Sequence, residues 1–272
     1  MNNKDKKAMR LEEIKRNPYT IQHIDRPSEE EQKAAVEANG MLLQYIKEPS
    51  EEVKQLAVAN APRAVQYCRE PSRTVQELAI DGGWNMLAYI ENPASDVVSK
   101  ALRQSGWAIQ YVKEPTEAMQ IEAVEQAYDA IKYISAPSEK VQLAAVKTNY
   151  QALRYMSHPS KKAIQMAIKG APQALTLLGD YTAADVLKWI QINTLVASYV
   201  PQSIGIDGQA MKQAVEQAVS SEDVSEAYIR NLLTNPALSL QSERWPMDPL
   251  LLIDAVGSFK AKQIAMDEKL KY

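Results

Sequence analysis

Apolar residues return along this chain on a fixed 22-residue step. Prolines stand at 27, 49, 71, 93, 115, 137 and 159, with no insertion between any two. Counting each unit from its proline, position 9 is alanine in all seven: Ala35, Ala57, Ala79, Ala101, Ala123, Ala145 and Ala167. Position 10 is always aliphatic (Val36, Val58, Ile80, Leu102, Val124, Val146, Ile168), and so is position 17 (Leu43, Val65, Leu87, Ile109, Ile131, Leu153, Leu175). Position 19 is tyrosine from Tyr45 to Tyr155 and then Leu177, and position 20 is apolar throughout, Cys68 and Met156 included. Repetition at this period is the signature of a stacked array.

Within a unit the pattern predicts two short helices. The proline stops the preceding helix and a hydroxyl residue caps the next, as in Pro137-Ser138. Positions 5, 9 and 10 share one helical face, so the first helix is expected to run to about position 12. Breakers or small residues follow, at Asn39-Gly40, Ala61-Pro62, Gly82-Gly83 and Ser105-Gly106. A second helix is expected over about positions 14–21, with 16, 17 and 20 inward. Isolated helices below roughly 12–15 residues are marginal in water, so each must be held by its neighbours. The unbroken alanine column predicts a crossing too close for a larger side chain. The tyrosine column has two readings: rings packed between adjacent units as part of the core, or a stacking surface for bases or aromatic side chains.

Residues 5–26 keep Asn17-Pro18, Ile21 and Ile24 in register but place His23 at position 19, and residues 181–202 place Trp189 where alanine belongs. Such degenerate units are expected at the ends of an array, where a unit has one neighbour instead of two. Beyond about residue 203 the period is lost. A helix is expected over 210–219, and another from a capping Ser221 with first-turn acids to about Thr234. A proline-containing loop with Arg244-Trp245 should span 236–249, before a last helix that starts near Pro249 and breaks at Gly257. The expected architecture is all-α. It is an α-solenoid of about nine two-helix repeats over 5–202, regular over 27–180 and capped by 5–26 and 181–202. A helical C-terminal segment, 203–272, follows as a cap or interaction segment.

The run Val141-Gln142-Leu143-Ala144-Ala145-Val146-Lys147-Thr148-Asn149-Tyr150-Gln151-Ala152-Leu153-Arg154-Tyr155 resembles the phrase of a phage- and virus-associated helical repeat family of unknown function. It is also similar to variant leucine-rich and HEAT-like repeats. The resemblance covers about residues 5–202 and departs from the phage phrase in having a proline at each junction. It implies a helical solenoid and a bacteriophage or related origin, with a protein that blocks a host defence complex by binding as its specific form. It implies no chemistry.

Composition narrows the function classes. The 272 residues carry 31 Lys+Arg against 34 Asp+Glu, a formal net charge of −3, which argues against a generic nucleic-acid coat. One cysteine excludes an internal disulfide framework and a cysteine-based zinc site, and two histidines make a His-rich metal site implausible. The N-terminal run lacks the apolar stretch of a signal peptide. The expectation is a cytoplasmic, non-enzymatic protein without cofactor or metal, in the host cytoplasm if phage-encoded. Cys68 sits in the apolar column and reads as a small buried hydrophobe. Glu29, Glu30 and Glu31 lie in a helix first turn, where they favour the dipole.

Candidate binding residues are those the repeat does not require. Trp84, Tyr128 and Tyr150 occupy position 14 and Trp107 position 15, where other units carry glycine or proline at 14. Large amphipathic side chains suit interface hot spots, and they also cover gaps between turns. Charge is segregated: residues 27–56 hold seven acids and three lysines, whereas 138–170 hold six bases and only Glu139. Lys147 and Lys169 share position 11, and with Arg154 and Lys162 they form an expected basic patch. The first expectation is a protein partner docking on Trp84, Trp107, Tyr128, Tyr150, Lys147, Arg154, Lys162 and Lys169. RNA or DNA binding along 138–170 and a homo-oligomer assembled through 203–272 are the alternatives. No membrane partner is expected.

Overall fold

The computed structural model describes residues 3–270 and is all-helical, with no strand among them. It divides into two compact units, Met1–Ala136 and Pro137–Tyr272. The first is an α-solenoid array of the predicted repeat, and the second continues the repeat to about residue 202 and then holds the helical segment without the period. In the regular repeats an α-helix fills positions 3–12, as in Glu51–Asn60 and Glu139–Thr148, and ends one residue earlier in Arg73–Asp81. A Ser or Thr at position 2 caps it in most repeats: the side chains of Ser50, Ser138 and Ser160 accept from the backbone N–H of Val53, Val141 and Ala163.

The second element differs from expectation. It is a six-residue 3-10 helix over positions 14–19, as in Gly40–Tyr45 and Gly106–Tyr111. The cause is local. Position 13 is extended (Asn39 φ −156°, Ser105 φ −161°), except that Gly83 makes the break at φ +140°, and position 20 is extended again. Only six residues remain between these breaks, and short pieces are where i→i+3 bonding is used. The bonds run onto the breaks themselves, with Leu42 N–H donating to Asn39 O and Ile46 N–H to Leu43 O, both at 3.0 Å.

Three residues per turn sets what is buried. Positions 14, 17 and 20 eclipse one another and face inward, so Leu43 and Ile46, Val65 and Cys68, and Ile109 are buried. Positions 15 and 18 eclipse on the outside. Position 19 lies one turn beyond the buried position 16 and reaches only the rim. The tyrosine column is therefore half-buried to exposed, not a core ladder, with Tyr45, Tyr133 and Tyr155 each about 40% accessible.

The alanine column is buried in every regular repeat. Where position 14 is glycine, consecutive repeats approach too closely for a side chain. A Cβ on Gly40 would lie 2.1 Å from Ala57 O, and one on Gly106 would lie 2.0 Å from Ala123 O. Polar side chains complete the join. Gln76 Nε2 donates to Pro71 O at 2.9 Å while its Oε1 accepts from Ala94 N–H of the next repeat at 2.9 Å. Gln142 repeats this with Pro137 O and Ser160 N–H. Asn60 holds Gly40 N–H and Glu37 O of the preceding repeat. Position 6 glutamine thus links neighbouring repeats, a role invisible in the apolar columns.

The first and last repeats adapt by substitution. The helix Asn3–Arg16 precedes the 3-10 helix Pro18–His23, and Arg10 Nε meets the buried Glu31 at 3.0 Å. Glu31 also accepts from Ser28 N–H and closes a capping box, so it is structural. At 181–202, tyrosine replaces the proline and tryptophan the alanine. Tyr181 and Trp189 pack edge-on at 5.6 Å, the two large residues compensating each other.

After the helix Gly208–Val219, residues 221–224 form a turn in place of the expected helix start. Ser221 Oγ is engaged by Asp223 N–H, and Ser225 caps the helix Glu226–Thr234 instead. Asn235 then caps a 3-10 helix, Pro236–Leu238, that packs on Thr194–Tyr199, so the helix-then-3-10 pairing recurs once outside the period. The expected loop is well anchored. Arg244 donates to the carbonyls of Val200, Pro201 and Ile204, and buried Trp245 donates from Nε1 to Ile206 O. Helices Pro249–Val256 and Phe259–Lys269 complete the chain on either side of Gly257.

Two outcomes are expected from this packing. Ala101→Leu and Gly106→Ala should each destabilise the protein by about 1–3 kcal/mol in a denaturant melt, because neither crossing has room for added atoms. Cys68 is buried and its thiol is pushed up to about 11 by burial, with little thiolate at neutral pH. It should react with iodoacetamide far more slowly in the native protein than in denaturant.

Candidate functional site

The predicted site residues fall in both units, each of which is described by itself. In the first unit the 3-10 helices carry Trp84, Trp107 and Tyr128. Trp84 is half-buried and stacks on Tyr111 of the following repeat, centroids 6.1 Å apart and planes 27° off parallel. It covers a step between turns. Trp107 is 40% accessible and is held from two sides. Its Nε1 donates to Asp129 Oδ1 at 2.8 Å, and Lys132 Nζ lies 4.8 Å from its ring centroid. Lys132 also bonds Asp129 Oδ2 at 3.3 Å and sits 5.0 Å from the Tyr133 ring. Desolvation opposes the Lys132 charge, but Asp129 and Tyr133 outweigh it and raise its pKa.

This cluster follows from the 3-10 geometry. Asp129 and Lys132 are positions 15 and 18 of one repeat, eclipsed on the outer face, and Trp107 is position 15 of the preceding one. The same face carries Arg63, whose guanidinium lies 5.2 Å from the Tyr89 ring. Sequence reasoning found Trp107 but missed Asp129 and Lys132, whose signal is their i, i+3 spacing at repeat positions 15 and 18. Tyr128 is half-buried at the start of its 3-10 helix.

In the second unit Lys147 and Tyr150 line a groove of ≈ 440 Å³, and Lys162 and Lys169 line one of ≈ 620 Å³. Met166 lines both and is 40% accessible. The structure therefore gathers four of the five predicted residues of this unit around one exposed thioether, while Arg154 is exposed but lines neither groove. Tyr150 is half-buried, its hydroxyl accepting from Gln173 Nε2 at 3.4 Å. Lys162 is paired with Glu139 at 2.7 Å, which raises its pKa. Lys147, Arg154 and Lys169 are exposed and have no acidic partner among the described residues. The larger groove is also lined by Tyr228, whose buried hydroxyl has no hydrogen-bond partner. Burial pushes that phenol well above the usual range.

No protein-family model, curated protein or solved structure matches the chain. Among the described residues no group of three or more His, Cys, Asp or Glu side chains is placed to hold a metal ion. No helix of the described residues is long and apolar enough to cross a membrane. The acidic stretch 27–56 is partly neutralised in place, since Lys33 reaches both Glu29 at 3.2 Å and Glu52 at 2.7 Å.

The geometry at Trp107 is directly testable. Asp129→Ala should leave the fold intact and cost about 1 kcal/mol or less, as for an exposed charge-assisted pair. Of the indole N–H resonances from the four tryptophans, that of Trp107 should shift and exchange faster with solvent.

Proposed function

We propose that the protein is a non-catalytic binding solenoid whose partner is another protein with an acidic surface. The observation that carries this reading is the grooved face of the second unit. There Lys147 and Lys169 stand exposed and unpaired beside the exposed Met166. Ionic groups of one sign around an apolar floor suit a partner that presents acids around an apolar anchor. A repeat scaffold loses little conformational entropy on docking, so contact energy is not spent on ordering it. Trp107, fixed in place by Asp129 and Lys132, offers a second, preorganised aromatic contact in the first unit.

The resemblance of the 141–155 phrase to phage-associated helical repeats supports a narrower form. In it the protein is phage-encoded, works in the host cytoplasm and blocks a host defence complex by occupying its surface. A second reading, RNA or DNA binding along 138–170, is favoured by the absence of acidic partners for Lys147, Arg154 and Lys169.

The test is kinetic. A pull-down from host lysate identifies the partner, and wild-type and variant proteins are then compared on it. Lys147→Glu with Lys169→Glu should slow association and weaken its salt dependence, with a smaller effect on dissociation. Trp107→Ala should chiefly speed dissociation. Tight, steeply salt-dependent binding to a labelled oligonucleotide, abolished by the lysine reversals, would favour the nucleic-acid reading instead.

A further inference from the structure

The helix Phe259–Lys269 has two dissimilar faces. Ala261 and Ala265 are buried where it packs on Glu226–Thr234 and Pro249–Val256. Opposite them Phe259 is 79% accessible, Met266 66% and Leu270 80%. Seven residues make nearly two helical turns, so Phe259 and Met266 align, and Leu270 follows one turn on. This is an apolar stripe on the exposed side of the helix, interrupted by the exposed Gln263 one turn after Phe259. The outer face of a terminal element in a repeat array is expected to be polar.

The charges beside the stripe say what covers it. Lys260 and Asp267 are also seven residues apart, so they lie on one flank, a basic group near the start and an acidic group near the end. Both are exposed, and neither has an ion-pair partner among the described residues. A two-fold axis perpendicular to the helix lays it antiparallel on its own copy and brings identical flanks together. The register that seats Phe259 between Met266 and Leu270 of the second copy sets Lys260 opposite Asp267 of the second copy, twice over. One operation gives the apolar contact and two Lys260–Asp267 pairs, with the two Gln263 side chains meeting at its centre. On the other flank the same register brings Lys262 beside Lys262 of the second copy, and the long stems let both ammonium groups reach solvent.

We infer that this face is an isologous homodimer interface, its occupant being a second copy of the chain in antiparallel register. It is separate from the lysine groove and shares no residue with it, so either reading can fail alone.

The experiment is sedimentation equilibrium of the full chain from low micromolar to sub-millimolar concentration, with the fold of each variant checked by circular dichroism. The wild type should pass from monomer to dimer. Lys260→Asp and Asp267→Lys, each of which places like charges opposite one another twice, should each weaken self-association by roughly tenfold or more. Phe259→Ser should do the same through the stripe. An equimolar mixture of the two charge variants should recover the wild-type dimer, because each then supplies what the other lacks. A wild type that stays monomeric, a dimer indifferent to both reversals, or a mixture that fails to recover would each overturn the inference.

Discussion

The structure depends on how closely one repeat's 3-10 helix approaches the α-helix of the next. At two repeats a Cβ on position 14 would fall about 2 Å from a position 9 carbonyl oxygen, on Gly40 against Ala57 and on Gly106 against Ala123. A ten-residue α-helix and a six-residue 3-10 helix are each too short to persist in water. Their stability comes from burying positions 5, 9, 10, 16, 17 and 20 against neighbours. The alanine column is what permits this approach. The 22-residue step is unbroken because an inserted residue would move every one of these contacts out of register.

The same spacing decides what the surface can display. Two extended residues, at positions 13 and 20, confine the second element to six residues and impose three residues per turn. Eclipsed side chains then form rows on the outer face, and residues three apart meet there. Asp129 and Lys132 clamp Trp107 for this reason, and the position 19 tyrosines stop at the rim instead of entering the core. A full α-helical second element would have distributed these groups differently. Function, in this reading, is written on the outward positions 11, 15 and 18 and on the half-buried aromatics at position 14.

Polar residues fasten what apolar burial brings together. Gln76 and Gln142 each satisfy a carbonyl of their own repeat and an N–H of the next, and Asn60 reaches back across a junction. These groups would be costly if left unpaired in a tight junction. Arg244 serves the C-terminal segment in the same way, meeting three carbonyls where the repeat gives out.

The sequence by itself determined the helical array, its period, its first helices and their caps, and the burial of the alanine column and Cys68. These depend on local spacing and on residue types that recur seven times. It also marked Trp107 and the lysines of 138–170 as residues the repeat does not need. Tertiary structure alone decided the rest. The 3-10 form of the second element follows from the extended residues on either side of it, a backbone property that an apolar pattern of 16, 17 and 20 does not distinguish from an α-helix. The exposure of the tyrosines follows from that form. The pairing of Trp107 with Asp129 and Lys132, the grouping of four residues about Met166, and the anchoring by Arg244 join positions that are distant along the chain. Only the stacking of one repeat or segment on another sets the distances between them.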